Sequence, residues 1–407
     1  MPLISEGETR RLTMPFSRRA FVKTLGAGAA GAFTSAMIGA RGREGFAALW
    51  RGLDEPVLAA ETSDIILSSN ENPLGPGERV LEAVRRAVGP RGAETARYPF
   101  GRIGPLNEAI AKKFGVKPEN VLIGAGSTQI LRTSVQVFTG PDRPYVGSLP
   151  TYEECGEYAT LIGTPIKGVP LDGQLRFDIE PTLAAAKGAG LVFYCNPNNP
   201  TATVHPPSAT DDFIRRLHAS SPETTILIDE AYIDYVTTPG HRSEIPRAVE
   251  DPRVVVARTF SKAYGMAGLR IGYAIAHKDT IRKMADWEGG GNISYLSMMA
   301  ALEAIGQDET FIERERARNA EAREFTRKFF HDLGYQDSES QTNFLFVDVR
   351  MPIQDFAAAC RKQGIRVARP FPPRLTSARI SIGTMEEMRK ATEVFAKVLK
   401  EGARAAA

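Results

Sequence analysis

Three stretches of the chain share one pattern, a short uninterrupted apolar run that ends abruptly in polar residues. Leu191–Cys195 runs into Asn196-Pro197-Asn198-Asn199-Pro200-Thr201, residues 225–228 into Asp229-Glu230-Ala231-Tyr232, and 254–257 into a turn holding Thr259-Phe260-Ser261-Lys262. Runs this short, rich in β-branched residues and without polar alternation, predict strands buried on both faces. From 121 to about 285 strand-like runs alternate with helical periodicity, which predicts an α/β unit with a mostly parallel, doubly wound sheet. Ahead of it, Glu78–Val88 and 105–114 predict helices on either side of a Pro/Gly/Arg-rich break near 89–104. Beyond it, 298–305 and 309–333 predict long helices, the second with Arg and Glu spread over a solvated face. Strand 342–349, helix 353–363, strands 364–368 and 379–382 and a final helix to about 400 then predict a smaller α+β unit. The organisation expected is an arm at 48–76 that joins the small domain, a large domain at 77–300 and a small one at 301–407.

In an open parallel sheet, ligand groups gather at the carboxyl ends of the strands. The three runs would therefore bring to one rim an amide (Asn199), a carboxylate (Asp229) with a phenol three residues on (Tyr232), and an amine (Lys262). Thr259 and Ser261 add hydroxyls, and Arg270, eight residues past the lysine, adds a guanidinium suited to phosphate. A lone Ser-Lys turn is ordinarily a solvated loop; the combination is not. A carboxylate beside a ring nitrogen keeps a pyridinium protonated, an amide and a phenol can bond its ring oxygen, and a lysine can form a Schiff base with its aldehyde. These are the groups needed to hold pyridoxal phosphate. Asp229 is the hardest to explain otherwise, because a carboxylate straight after an apolar strand is costly to bury without a cation.

The landmarks SSNENPLGP (68–76), RYPF (97–100), GAGSTQIL (124–131), PTYE (150–153), NPNNPT (196–201), DEAY (229–232), RTFSKAYGMAGLRIGY (258–273), TNFLFV (342–347) and RISIGT (379–384) follow in order. On these, residues 62–400 resemble the fold-type I, class I/II aminotransferases, in the histidinol-phosphate aminotransferase-like branch. The resemblance implies a fold-type I PLP-dependent transferase in which Lys262 is the Schiff-base lysine and general base. Asp229 would pair with the pyridine nitrogen, Asn199 and Tyr232 would bond the ring oxygen, and Tyr152 would stack on the ring. Ser127 and Thr128 would hold the phosphate with Ser261, Arg270 and Thr259, at a glycine-rich turn that opens a helix and so presents free N–H groups to an anion. It further implies a homodimer with shared sites, in which Tyr98 reaches the phosphate of the partner subunit's cofactor. Arg379 would clamp a substrate carboxylate or phosphate, and Asn72 sits in the arm that covers the substrate. The activity implied is ping-pong transfer of an amino group from an L-amino acid or histidinol phosphate to a 2-oxo acid such as 2-oxoglutarate. A lyase or decarboxylase of a phosphorylated amino acid would share every cofactor residue and stays open, as does a catalytically silent binding protein on the same scaffold. Two departures stand out. Thr201-Ala202 replaces the usual Thr-Gly, so the local turn is expected to differ. The phosphate turn reads Ser-Thr-Gln where acidic residues are common. Arg366, Arg369 and Arg374 are further candidates for a distal anion on the substrate.

At the other end, Ser17-Arg18-Arg19-Ala20-Phe21-Val22-Lys23 precedes a mild, uncharged Gly/Ala-rich stretch, 24–40. This resembles a twin-arginine export signal, with the translocase as partner and a periplasmic or secreted location. The stretch is too short and too mild for a good membrane span, and a disordered tail or an uncleaved anchor is its alternative. Residues 1–47 carry seven basic and three acidic side chains against a whole-chain charge of +3, so the rest is close to neutral and offers no basic patch for nucleic acid. The three cysteines, an odd number without a C-x-x-C, predict free thiols, and the five scattered histidines predict no metal site.

Overall fold

The computed structural model describes residues 64–406 apart from 90, 91, 93, 100, 102, 289–291 and 308. The leader assigned to 1–47 and the first part of the arm lie outside the described residues. A short strand of the arm, β1 (Ile65–Leu67), precedes a seven-stranded sheet. Its members are β2 (Val121–Gly124), β3 (Tyr145–Leu149), β4 (Ile166–Pro170), β5 (Leu191–Cys195), β6 (Thr225–Asp229), β7 (Val254–Thr259) and β8 (Gly272–Ala276). The order across the sheet is β2-β8-β7-β6-β5-β3-β4. All neighbours run parallel except β8, which is antiparallel to both β7 and β2. Only one short 3-10 turn, Ala267–Leu269, separates β7 from β8, and a parallel return needs a longer crossover.

The continuous apolar runs have a two-sided purpose. Val192, Tyr194, Ile226, Ile228, Val254 and Val256 point into one hydrophobic core, while Leu191, Phe193, Cys195, Leu227, Val255 and Ala257 point into another. The period-2 alternation of a strand thus feeds both faces, each covered by helices. The helices Glu78–Val88, Gly104–Phe114, Pro207–Ser220 and Tyr295–Ile305 contribute to the first core; Ser127–Phe138 and Glu154–Leu161 contribute to the second.

A third core gathers Leu67, Phe330, Leu345, Val347, Phe356, Ile380 and Phe395. It lies about an antiparallel pair, β9 (Phe344–Asp348) with β11 (Ser377–Ser381), and a parallel pair, β1 with β10 (Ile365–Val367). Ile65 faces Ile365 in register, so the arm is stitched to the C-terminal third of the chain. The helix expected over 353–363 stops at Arg361, because the chain must reach Gly364 in a left-handed conformation (φ 78°) before β10. All three cysteines are free and buried.

Ala202, which stands where a glycine is usual, adopts a left-handed φ of 62°, and its N–H closes the turn onto the Asn198 carbonyl at 2.7 Å. Three terms explain the tolerance. The left-handed geometry costs an L-residue roughly 1–2 kcal/mol. Glycine would lose about 0.5–1 kcal/mol through its greater unfolded freedom, and removing the fully buried methyl would lose about 0.8 kcal/mol more. Ala202→Gly is therefore expected to move stability by less than ~1 kcal/mol in either direction. Denaturant titration checks this, and a clear stabilisation would show the strain to be uncompensated.

Candidate active site

The rim at the carboxyl ends of β3, β5, β6 and β7 collects the polar turns. The sheet order reverses between β3 and β5, which opens a crevice there. The two turns flanking it are tied together. The Thr151 hydroxyl donates to Asn198 Oδ1 at 2.7 Å, and Asn198 Nδ2 donates to Thr201 Oγ1 at 2.8 Å and Pro150 O at 3.3 Å. This network fixes Tyr152 on one side and Asn199 on the other. The Tyr152 phenol lies beside the Thr128 hydroxyl, and burial, foremost, raises its pKa.

At the phosphate end, the helix Ser127–Phe138 begins without a side-chain cap, leaving its first N–H groups open. Gly126 precedes it at φ 77°, and a Cβ there would collide with the Arg270 guanidinium. A Cβ at Gly272 would likewise meet the Ser127 N–H. The two glycines thus let Arg270 and the helix start approach one another. Arg270 Nη1 donates to Ser261 Oγ at 3.3 Å and to Ala267 O at 2.9 Å. Thr259 plays a supporting part: its hydroxyl donates to Ser261 Oγ at 3.0 Å and accepts from the Ser261 N–H at 3.1 Å.

Asp229 ends β6, is buried, and accepts a hydrogen bond from Ala231 N at 3.1 Å. Among the described residues it forms no salt bridge. Burial raises its carboxyl to about 7, with the Ala231 bond and Lys262 acting against the rise. Lys262 is shifted the other way, to about 8, by burial first and then by Arg379; Nζ donates to Ser69 O at 3.2 Å and lies 5.5 Å from the Tyr232 ring centre. Arg379, on β11, donates from Nη1 to Asn199 Oδ1 at 2.8 Å and from Nη2 to Ser68 O at 2.6 Å. Its Nε is buried without a partner, and burial lowers its pKa to about 10. Phe371 and Phe344 lie 4.7 Å and 5.7 Å from it.

Asn72 lies in the arm beside the lysine turn: Nδ2 donates to Ala263 O at 3.0 Å, and Oδ1 accepts from Leu74 N at 3.0 Å. It clamps the arm onto the lysine turn. The arm residue at the site is Asn70, which the sequence reading passed over. Its Nδ2 donates to the Tyr232 hydroxyl at 3.2 Å, while Ser381 and Asn343 bind its backbone and side chain. Its left-handed φ of 56° is one that asparagine tolerates, the only local signal that could have marked it. Two candidate arginines already have acidic partners: Arg366 Nε donates to Asp64 at 2.8 Å, and Arg369 pairs with Glu153. Arg374 is exposed. Tyr98 is 80% exposed on this chain.

The donor set fits pyridoxal phosphate. Asp229 is a buried acid with no salt bridge among the described residues, Lys262 an amine with a depressed pKa, and Arg270 with Ser261, Ser127 and Thr128 forms an anion cradle at a helix start. Residues 62–395 match the family model "Aminotransferase class I and II". The chain is 34% identical to a histidinol-phosphate aminotransferase of Moorella thermoacetica over 343 residues, 83% of this chain and 85% of that one. It is also 34% identical to one from Symbiobacterium thermophilum, over 83% and 91% of the two chains. A crystal structure of histidinol-phosphate aminotransferase from Sinorhizobium meliloti in complex with pyridoxal-5'-phosphate superposes with a TM-score of 0.76 at 28% identity, covering 83% of this chain and 91% of that one. The fold and rim define a fold-type I pyridoxal-phosphate-dependent transferase. The chain belongs to the class I and II aminotransferases and is a transaminase of the histidinol-phosphate aminotransferase-like kind. Nothing among these relatives favours the lyase alternative.

The pKa shifts carry a stability consequence. Asp229 holds its proton more tightly folded than unfolded, so stability falls as pH rises from about 4 to about 7. Asp229→Asn is therefore expected to raise the melting temperature of the cofactor-free protein at pH 8 and to leave it little changed at pH 4. An unchanged or lower value at pH 8 would contradict the assignment of a buried, uncompensated carboxylate.

Proposed function

We propose that the enzyme moves the amino group of a donor bearing an anionic group, histidinol phosphate in the first instance, to 2-oxoglutarate. Arg379 carries this reading. It is a partly buried guanidinium held by two neutral oxygens, its Nε is buried without a partner, and it has no carboxylate partner among the described residues. Such a cation is incomplete until an anion arrives. In a ping-pong cycle it can receive the donor's anion and the carboxylate of the 2-oxo acid in turn. The rings of Phe371, Phe344 and Tyr152 around the crevice suit a flat heteroaromatic donor such as an imidazole. L-amino acids, aromatic ones included, are the second reading.

Pyridoxal phosphate, when bound, supplies an aldehyde for the amine and a ring that takes up electrons. The remaining work belongs to the chain. Asp229 presents a carboxylate where a ring nitrogen must stay protonated, and Asn199 and Tyr232 present an amide and a phenol. Lys262, with its amine near 8, is partly neutral around neutral pH and can lift and return a proton at the substrate α-carbon. Asn199 serves twice, since its Oδ1 also aims Arg379.

The homodimer and the export route belong to the same proposal. The exposed ring of Tyr98 suits a residue whose target lies in a second subunit. The Arg18-Arg19 leader suits twin-arginine export of a protein that folds around its cofactor beforehand. Replacing both arginines by lysine is expected to leave the protein in the cytoplasm; undiminished export would remove the leader assignment.

A panel of donors against 2-oxoglutarate, with histidinol phosphate and phenylalanine among them, tests the central reading. Histidinol phosphate is expected to give the highest kcat/KM. Arg379→Lys should lower kcat/KM for anionic donors by roughly 10- to 100-fold, the worth of a lost charge-assisted pair. Equal rates with neutral amines would contradict the anion clamp.

A further inference from the structure

Three successive residues of the arm each touch a different group of the site. Ser68 O accepts from Arg379 Nη2 at 2.6 Å, Ser69 O accepts from Lys262 Nζ at 3.2 Å, and Asn70 Nδ2 donates to the Tyr232 hydroxyl at 3.2 Å. The first two use backbone carbonyls, which any residue supplies. The third depends on one side chain. We propose that Asn70 is a positioning residue: it makes the Tyr232 oxygen an acceptor, turns the phenol hydrogen into the crevice, and so ties the seating of the arm to the proton balance of the bound cofactor. This rests on the reading of Tyr232 as a partner of the cofactor's ring oxygen.

The direction of that hydrogen follows from the bonds at Ser381. Its Oγ accepts from the Asn70 backbone N–H at 2.8 Å and donates to Asn70 Oδ1 at 3.0 Å. A hydroxyl has a single proton to give, and here Oδ1 receives it. The oxygen end of the amide therefore faces Ser381, and the Nδ2 end faces Tyr232. A turned amide would give Ser381 two donors and its own proton no acceptor on Asn70, and it would draw the Tyr232 hydrogen away from the crevice. The Asn70 carbonyl is held too, by Asn343 Nδ2 at 2.9 Å. Backbone and side chain are thus fixed from β11 and from the residue ahead of β9, in a residue 1% exposed.

Tyr232 has little freedom of its own. Its ring is buried, and Phe344 packs edge-on with ring centres 5.1 Å apart. What remains is rotation of the hydroxyl hydrogen, and an N–H aimed at the oxygen turns that hydrogen away from Asn70. The charged and titratable groups around the phenol are Arg379 on β11, Lys262 beyond β7, Cys195 on β5 and Tyr152 beyond β3. Burial raises the Tyr232 pKa, so the group stands as a neutral phenol with a proton to donate. An accepted N–H polarises the phenol and strengthens its O–H as a donor. On the ring oxygen of pyridoxal phosphate such a donor stabilises negative charge. It lowers the pH at which the cofactor's visible absorption changes, because that change removes the proton shared by the ring oxygen and the lysine nitrogen.

Absorbance of the holoenzyme across pH reads this without turnover. Asn70→Gly removes the amide and keeps a residue suited to the left-handed φ of 56°. Its midpoint is expected to rise by about 0.3–1 pH unit, less than the rise in Tyr232→Phe. Added to Tyr232→Phe, Asn70→Gly is expected to give no further shift, whereas a residue that only braces the arm would shift both backgrounds alike. Ser381→Ala frees the amide to turn and serves as the second variant should Asn70→Gly hold cofactor poorly; its midpoint is expected to rise in the same Tyr232-dependent way. A midpoint that falls shows the phenol donating to Asn70 and overturns the proposal. An unchanged midpoint, or an equal rise in both backgrounds, overturns it as well. If Tyr232→Phe itself leaves the midpoint unmoved, the ring-oxygen reading of Tyr232 fails first, and the positioning role falls with it.

Discussion

The structure depends on one unpaired charge. Asp229 sits at the end of a strand buried on both faces, 2% exposed, with a single backbone N–H and a distant amine to offset it. Left alone, it shifts toward the neutral acid. A ring nitrogen that carries a proton reverses this, because the pair then shares a charge that neither would hold alone in a dry site. Lys262 and Arg379 show the same incompleteness, both with pKa values lowered by burial. Two groups shifted toward their neutral forms, Asp229 and Lys262, and a guanidinium without a carboxylate partner among the described residues surround one crevice, a receptor for a molecule that brings a cationic ring, an aldehyde and an anion.

The fold supplies the rigidity this needs. Alternate residues of β5, β6 and β7 enter two different cores, so those strands are locked from both sides and their ends are fixed in space. The reversal of sheet order between β3 and β5 opens the crevice. The arm closes it: β1 pairs with β10, Asn72 clamps onto Ala263, and Asn70 reaches Tyr232. Gly265 shows how close that approach is, since a Cβ there would collide with the Gly75 carbonyl. Behind the catalytic turn, Arg258 joins Glu230 and Asp234 in a buried cluster that holds the residue next to Asp229.

Most of the rim was legible in the sequence because its signal is local. An apolar run ending in Asp, Asn or Lys marks both a buried strand and the chemical group at its tip, and the cost of burying charge makes that group meaningful. What the sequence hid depends on long-range pairing. Asn70 and Asn72 sit two residues apart in one motif, and only the fold decides which faces Tyr232 and which faces Ala263. Arg366 and Arg369 resemble free anion receptors until Asp64 and Glu153 are brought beside them. Ala202 stands where a glycine is usual and still takes a left-handed φ, since opposing terms of similar size cancel there.

Infrared difference spectroscopy at pH 6, comparing the protein with and without pyridoxal phosphate and using Asp229→Asn as the reference, tests the central claim most directly. The account predicts a protonated carboxyl band in the cofactor-free protein that belongs to Asp229, in keeping with a pKa of about 7, and its conversion to a carboxylate when the cofactor binds. A carboxyl already ionised at that pH without cofactor, or one that stays protonated with it, would contradict it.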